Sequence, residues 1–320
     1  MDTNQSSESS KSNGQWERNA LELLLIENLK ENRKARRWRA VLRILSVVVL
    51  LGLIYQVFDI QLPGQGSSGK HTALVSIEGE IAPNSVANAL DINSALLAAF
   101  ESKEAAGVVL RINSPGGSPV QAGMINDEIR RLRALHPEKP FYVVVEDVCA
   151  SGGYYVAVAG DKIFVDKASL VGSVGVIMNG FGVTGLMDKL GIERRAITAG
   201  KNKALLDPFS KEDPKQKAFV QEMLSEVHQQ FIKVVRDGRG DRLKETPDMF
   251  SGLVWNGAKS VELGLTDALG TVDGVAREVF KAPEVVDYTM KDNFAERVAK
   301  RFGAAMGESV AKVISSPRLN

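Results

Sequence analysis

The chain has 320 residues, 44% hydrophobic and 25% charged, enough for one sizeable folded domain with appendages. A formal net charge of +1 argues against a whole-protein electrostatic footprint for nucleic acid, and no nucleic-acid partner is expected. The single cysteine, Cys149, excludes an intramolecular disulfide and a four-thiolate zinc site; with only His71, His136 and His228 as histidines, neither a metal nor a cofactor is expected.

Residues 1–14 are polar and serine-rich with no apolar period, which reads as disorder. Residues 16–39 place Leu21, Leu24, Leu25 and Leu29 at helical spacing and end in a basic cluster from Arg33 to Arg39, the pattern of an amphipathic helix. Residues 40–58 are apolar apart from Arg43, Ser46, Gln56 and small residues. A bilayer core needs about 20 such residues, and Arg43 lies near enough to one end to snorkel. A buried core helix and a cleaved signal peptide are the alternatives. The length of the run and the lack of a clean cleavage site favour a transmembrane anchor. The basic cluster precedes the span, so the positive-inside rule puts the N-terminus in the cytoplasm. The rest then lies outside it, which in a bacterium means a single pass through the inner membrane and a periplasmic or extracytoplasmic domain.

Residues 59–71 contain a Gly/Ser-rich linker, and the main folded domain is expected over 72–285. Residues 72–81 alternate like a strand, and 107–114 form a nearly continuous apolar strand. Met124, Ile125, Ile129, Leu132 and Leu135 make a helical stripe. Residues 141–147 read as another buried strand, 152–160 as a short apolar helix and 162–166 as a strand. A helix through residues 186–192, a strand through 194–200 and a long amphipathic helix over 212–238 follow. Strands alternating with helices predict an α/β domain with mostly parallel pairing. Residues 286–320 form a C-terminal helical extension in which Phe294, Val298, Phe302, Met306, Val310 and Val313 recur near helical spacing. Its basic residues suit a neighbouring subunit or a membrane surface, and an ordinary helix covering its own core fits equally well.

Two segments could carry chemistry. Residues 113–118, NSPGGS, follow a buried strand. Pro115 fixes a turn, and Gly116 and Gly117 reach backbone angles that could aim N–H groups at a ligand, as an oxyanion hole requires. Residues 147–155, DVCASGGYY, place Ser151 at a strand-to-helix corner, followed by the N–H of Gly152. On the corner alone, Ser151 reads equally as a helix N-cap. No histidine stands in a local motif with it, so lysine is the other base. An ordinary lysine has a pKa near 10.4, and a neutral amine at pH 7 costs roughly 4.6 kcal/mol, which desolvation can supply. Lys201 and Lys203 follow the expected strand of 194–200, and Lys203 precedes the apolar run Ala204, Leu205 and Leu206. Position alone leaves Lys201, Lys162 and Lys167 open. Cys149 reads as a small buried core residue.

NSPGG, VCASGGYYVAVAGDKIFVD, GSVGVIM and AGKNKALLDPF, in that order, resemble the signal peptide peptidase A family of serine peptidases in its short form, family S49. The likeness extends through GLTDALGTVDG and so covers nearly all of the expected domain. It implies an α/β fold related to Clp protease and crotonase, built from repeated ββα units and preceded by the single N-terminal transmembrane helix. It implies a Ser/Lys dyad with Ser151 as nucleophile and Lys203 as general base. Ser173 would orient the lysine, and Gly117 and Gly152 would donate to the oxyanion. It also implies a ring-shaped homo-oligomer and remnant signal peptides, sometimes misfolded secreted proteins, as substrates. The absence of an evident acidic pocket predicts small or apolar side chains at P1. A related-fold acyl-CoA hydratase or isomerase would use the same Gly-Gly device on a thioester, and a non-catalytic membrane scaffold is a third reading. The expected placement of the domain beyond the membrane disfavours the acyl-CoA reading.

Overall fold

The computed structural model describes residue 38, residues 41–50 and residues 69–290. Residues 41–50, inside the expected 40–58 anchor, are helical and exposed; the second half of that span lies outside the described residues. So do the amphipathic segment before residue 38, most of the linker and the C-terminal extension from residue 291. Among the described residues, no helix is long and apolar enough to cross a membrane.

The domain alternates strands and helices. In chain order these are β1 (His71–Glu78), α1 (Ala89–Glu101), β2 (Ala105–Ser114), α2 (Pro119–Leu135), β3 (Phe141–Ala150) and α3 (Gly152–Ala157). Then come β4 (Lys162–Val165), β5 (Leu170–Gly172), α4 (Thr184–Leu190), α5 (Pro214–Arg239), β6 (Val254–Asn256), α6 (Gly257–Glu262), β7 (Ala268–Leu269) and β8 (Val285–Asp287). The main sheet runs β6-β5-β3-β2-β1-β8, with β4 beside the first half of β3 and β7 beside β4. The described pairings are parallel except β5 with β6. This mixed α/β sheet is consistent with the Clp-like fold that the motifs imply.

Helix ends follow their capping residues. Asn88 accepts from the Asp91 N–H, Ser118 from the Gln121 N–H with Pro119 next, and Asp213 from the Lys215 N–H with Pro214 next. On one face of the sheet, Val75, Ile77, Leu110, Ile112, Val143 and Val145 bury against Ile92 and Leu96 of α1 and Ile125, Ile129 and Leu132 of α2. Each such side chain contributes roughly 2 kcal/mol of burial. The other face packs Leu74, Val109 and Val144 on Val275, Phe280 and Ala282. Strands β1 to β3 are covered on both faces, which explains their unbroken apolar runs.

β3 serves two neighbours because it is bulged. Its first half pairs with β4 from Tyr142 to Val144, and its second half with β5 from Val148 to Ala150. Against β2, the register jumps from Ile112↔Val145 to Ser114↔Cys149. The Asn113 side chain fills the gap, accepting from the Val148 N–H at 3.2 Å and donating to Asp147 at 3.3 Å. The bulge redirects the end of β3 and therefore Ser151.

Two expectations fail. The strand before Lys203 is not formed: residues 193–198 have no regular structure, and Ile197 is fully exposed. Its β-branched residues find no neighbouring strand to pair with among the described residues. His71, expected on the surface, is buried at the start of β1, with its ring nitrogens on the Gly69 carbonyl and the Tyr288 hydroxyl.

Candidate active site

The carboxyl ends of β2, β3 and β5 meet at one place. Ser151 follows β3 at φ 50 and ψ −120, a left-handed-side conformation uncommon for a non-glycine residue. It stands at the N-cap position of α3 but makes no side-chain capping hydrogen bond. The corner therefore presents the hydroxyl instead of spending it on the helix. Ser151 is half-buried, and its N–H donates to the Gly172 carbonyl at 2.8 Å. Behind it, the fully buried Tyr154 donates its hydroxyl to the Leu265 carbonyl at 2.7 Å and anchors α3.

Glycines let the backbone close in around this corner. A Cβ on Gly116 would lie 2.7 Å from the Gly152 nitrogen and 2.8 Å from the Ser151 Cβ. A Cβ on Gly152 would lie 3.3 Å from the Gly117 nitrogen. The nitrogens of Gly117 and Gly152 thus border one small space beside Ser151. Neither N–H is taken up by a backbone hydrogen bond of the described residues, and Gly117 is exposed. Two unused donors beside a presented hydroxyl are what a tetrahedral oxyanion needs.

Ser173 arrives from β5. Ala150 pairs with Gly172, so Ser151 and Ser173 leave neighbouring strand ends side by side. Ser173 has φ 54, and its N–H donates to the Leu253 carbonyl at 2.7 Å. The Trp255 indole packs over Gly172, 3.1 Å from where a Cβ would stand. From α5, the His228 Nε2 meets the Val174 carbonyl at 3.1 Å. His228 thus braces the turn after Ser173, a link that spacing along the chain does not reveal.

Lys203 is exposed, with its N–H on the Gly200 carbonyl at 3.1 Å. Ala204 and Leu205 are half-buried, and every described residue from 176 to 212 is half-buried or exposed. The apolar pocket expected around the amine is therefore not built by this single chain. The segment is tied to itself, by Val183 N–H to Pro208 carbonyl at 2.9 Å and by Arg194 to Asp207 at 2.8 Å. Lys201 is also exposed. Cys149 is buried, and burial pushes its thiol pKa well up, which suits a core residue and not a nucleophile. Among the described residues, no group of three or more His, Cys, Asp or Glu could hold a metal. A groove of about 880 Å³ on the other sheet face is lined by Arg111, Glu146, Asp147, Asp166 and Asp273 among others, and includes neither Ser151 nor the two glycines.

Residues 133–285 match the model of peptidase family S49. That stretch holds Ser151, Ser173 and Lys203, while the Gly116–Gly117 turn precedes it. A Brucella melitensis chain named as the Na(+)/H(+) antiporter NhaA is 46% identical over 182 residues, which are 57% of this chain and 25% of that one. An Enterococcus faecium protein named as a signal peptide peptidase SppA is 29% identical over 234 residues, 71% of this chain and 67% of that one. A Methanocaldococcus jannaschii protein named as a protease is 34% identical over 192 residues, 58% and 61% of the two chains. The aligned region thus spans from a quarter to two thirds of these relatives' own lengths. With the presented serine, the paired N–H groups and the strand-end placement, these matches make the chain a signal peptide peptidase A-like member of peptidase family S49.

Proposed function

We propose that the protein is a membrane-anchored serine endopeptidase that uses Ser151 and Lys203 as a dyad to degrade remnant signal peptides, with misfolded secreted proteins as further substrates. The observation that carries the reading is the backbone of Ser151. An oxyanion hole for a thioester needs the Gly117 and Gly152 donors but no hydroxyl at a strained corner. This chain holds one there, uncapped, beside both donors.

Neutral Lys203 takes the proton of the Ser151 hydroxyl as Oγ attacks the scissile carbonyl carbon. The carbonyl oxygen becomes an oxyanion received by the Gly117 and Gly152 N–H groups. As the C–N bond breaks, the lysine ammonium returns its proton to the leaving amine. Water then hydrolyses the acyl-serine by the same route. Ser173, on the neighbouring strand end, orients the lysine amine. The exposed state of Lys203 in one chain supports assembly into a ring of copies. Ile177, Phe181, Ile192 and Ile197 on the same segment are exposed apolar residues whose cover would also desolvate the amine. Residues 40–58 would hold the domain at the inner membrane on its periplasmic or extracytoplasmic side, near apolar peptides. Small or apolar P1 residues are the preferred ones.

A serine-directed fluorophosphonate probe tests the dyad on the full chain. Wild type and Lys201→Ala are expected to label at equal rates, Ser151→Ala not at all, and Lys203→Ala at least 100-fold more slowly, the scale of a lost general base. Undiminished labelling of Ser151→Ala would overturn the assignment.

A further inference from the structure

We propose that Ser114 is the positioning residue of the oxyanion hole: its buried hydroxyl occupies the Gly116 N–H and so leaves Gly117 as the one donor of the turn that faces substrate. The inference rests on the peptidase reading above.

It follows from accounting for every N–H in the turn. Pro115 has none. The Gly116 N–H donates to the Ser114 Oγ at 3.1 Å, in a buried contact. The Ser118 N–H donates to the Ile81 carbonyl at 2.8 Å. Only the Gly117 N–H remains. The two carbonyls that could rotate the turn are also held. The Gly116 carbonyl accepts from the Ile81 N–H at 2.8 Å, and the Gly79 carbonyl accepts from the Ser114 hydroxyl at 2.6 Å.

The hydroxyl of Ser114 has one proton, and that proton is committed to Gly79. Its lone pair therefore faces the Gly116 N–H, and the direction of both bonds is fixed. Ser114 is fully buried, so no water replaces it. Gly116 and Gly117, at φ 104 and 144, are the residues for which a peptide flip is least hindered. Without the hydroxyl, the Gly116 N–H is left unsatisfied and the turn is free to rotate, which spoils the aim of the Gly117 N–H. The Ser118 hydroxyl cannot substitute, because it accepts from the Gln121 N–H and caps α2.

The test uses the full chain and four readouts: kcat and KM on a fluorogenic apolar peptide, affinity for a peptide aldehyde, and affinity for the matching peptide amide. The aldehyde adds to Ser151 and its oxygen fills the hole, whereas the amide binds without an oxyanion. For Ser114→Ala, we expect kcat per titrated active site to fall about 10- to 100-fold at unchanged KM, below the 10²–10³ cost of losing a donor outright. Aldehyde affinity should fall by the same factor, and amide affinity should hold. Ser114→Cys, which keeps a weak donor and acceptor, should lie between the two; it decides the matter if the alanine variant does not fold. Wild-type kcat in the variants, or equal losses for aldehyde and amide, would overturn the proposal. A wild-type protein that neither cleaves the peptide nor binds the aldehyde would instead overturn the peptidase reading itself.

Discussion

Replacing Gly117 by alanine should separate the oxyanion hole from the rest of the fold. Gly117 has φ 144, and a Cβ there would fall 2.2 Å from the Ile81 carbonyl oxygen and 2.9 Å from its carbon. Ordinary contact needs about 1 Å more. The Ile81 carbonyl cannot simply retreat, because it accepts from the Ser118 N–H, and the Ile81 N–H donates to Gly116, both at 2.8 Å. Opening those two bonds costs about 2 kcal/mol, and forcing alanine into this φ adds about 1–3 kcal/mol. The folded state should therefore lose about 3–5 kcal/mol, a large part of the stability of an ordinary domain. The same displacement moves the Gly117 N–H by roughly an ångström, enough to lose one oxyanion donor and about 10²–10³ in kcat/KM. Urea unfolding gives the first quantity, and peptide hydrolysis per titrated active site gives the second. A Gly117→Ala protein with wild-type kcat/KM per site would refute the assignment of this N–H to the hole, whatever its stability.

Two further outcomes concern the frame around the site. Asp267 is held by the buried Arg239 at 2.8 Å; burial alone would push its carboxyl up, but the hydrogen bond and charge of Arg239, with the Ile163 N–H and Arg242, hold it below the usual range. A depressed folded-state pKa stabilises above the unfolded value near 3.9 and is lost as pH falls through the folded one, so stability should drop below about pH 4. Asp267→Asn should flatten that drop in acid urea titrations and cost about 3–5 kcal/mol at pH 7, because Arg239 is left buried and unpaired. Cys149 should not react with a thiol-specific disulfide reagent in the native protein and should react fully in denaturant; rapid native labelling would contradict its burial.

Much of the site was legible because chemistry sits where strands end. Runs such as 107–114 and 141–147 announce buried strands, and the residues just beyond them, Gly117 and Ser151, had to lie at one edge of the sheet. What could not be read was how strands pair. The bulge in β3 shows only in its register against β2, so the part played by Asn113 had no sequence signal. His228 lies 54 positions from the carbonyl it meets. The strand expected before Lys203 had the right composition. Composition does not supply a partner, and none lies beside it within the described chain. Ser114 carried a signal that was passed over: a serine between a strand and a Pro-Gly-Gly turn has few tasks other than to hold that turn.

The φ of 50 at Ser151 also limits which nucleophile this corner accepts. A second branch at Cβ, as in threonine, meets the neighbouring backbone in that conformation, so the corner admits serine or cysteine and disfavours threonine by about 1–3 kcal/mol. The Gly116 Cα, close against the Ser151 Cβ, removes the room that an added methyl would need. Chemically, a hydroxyl is a hydroxyl; here the backbone chooses its carrier, and variation at this position runs along Ser/Cys and not along Ser/Thr.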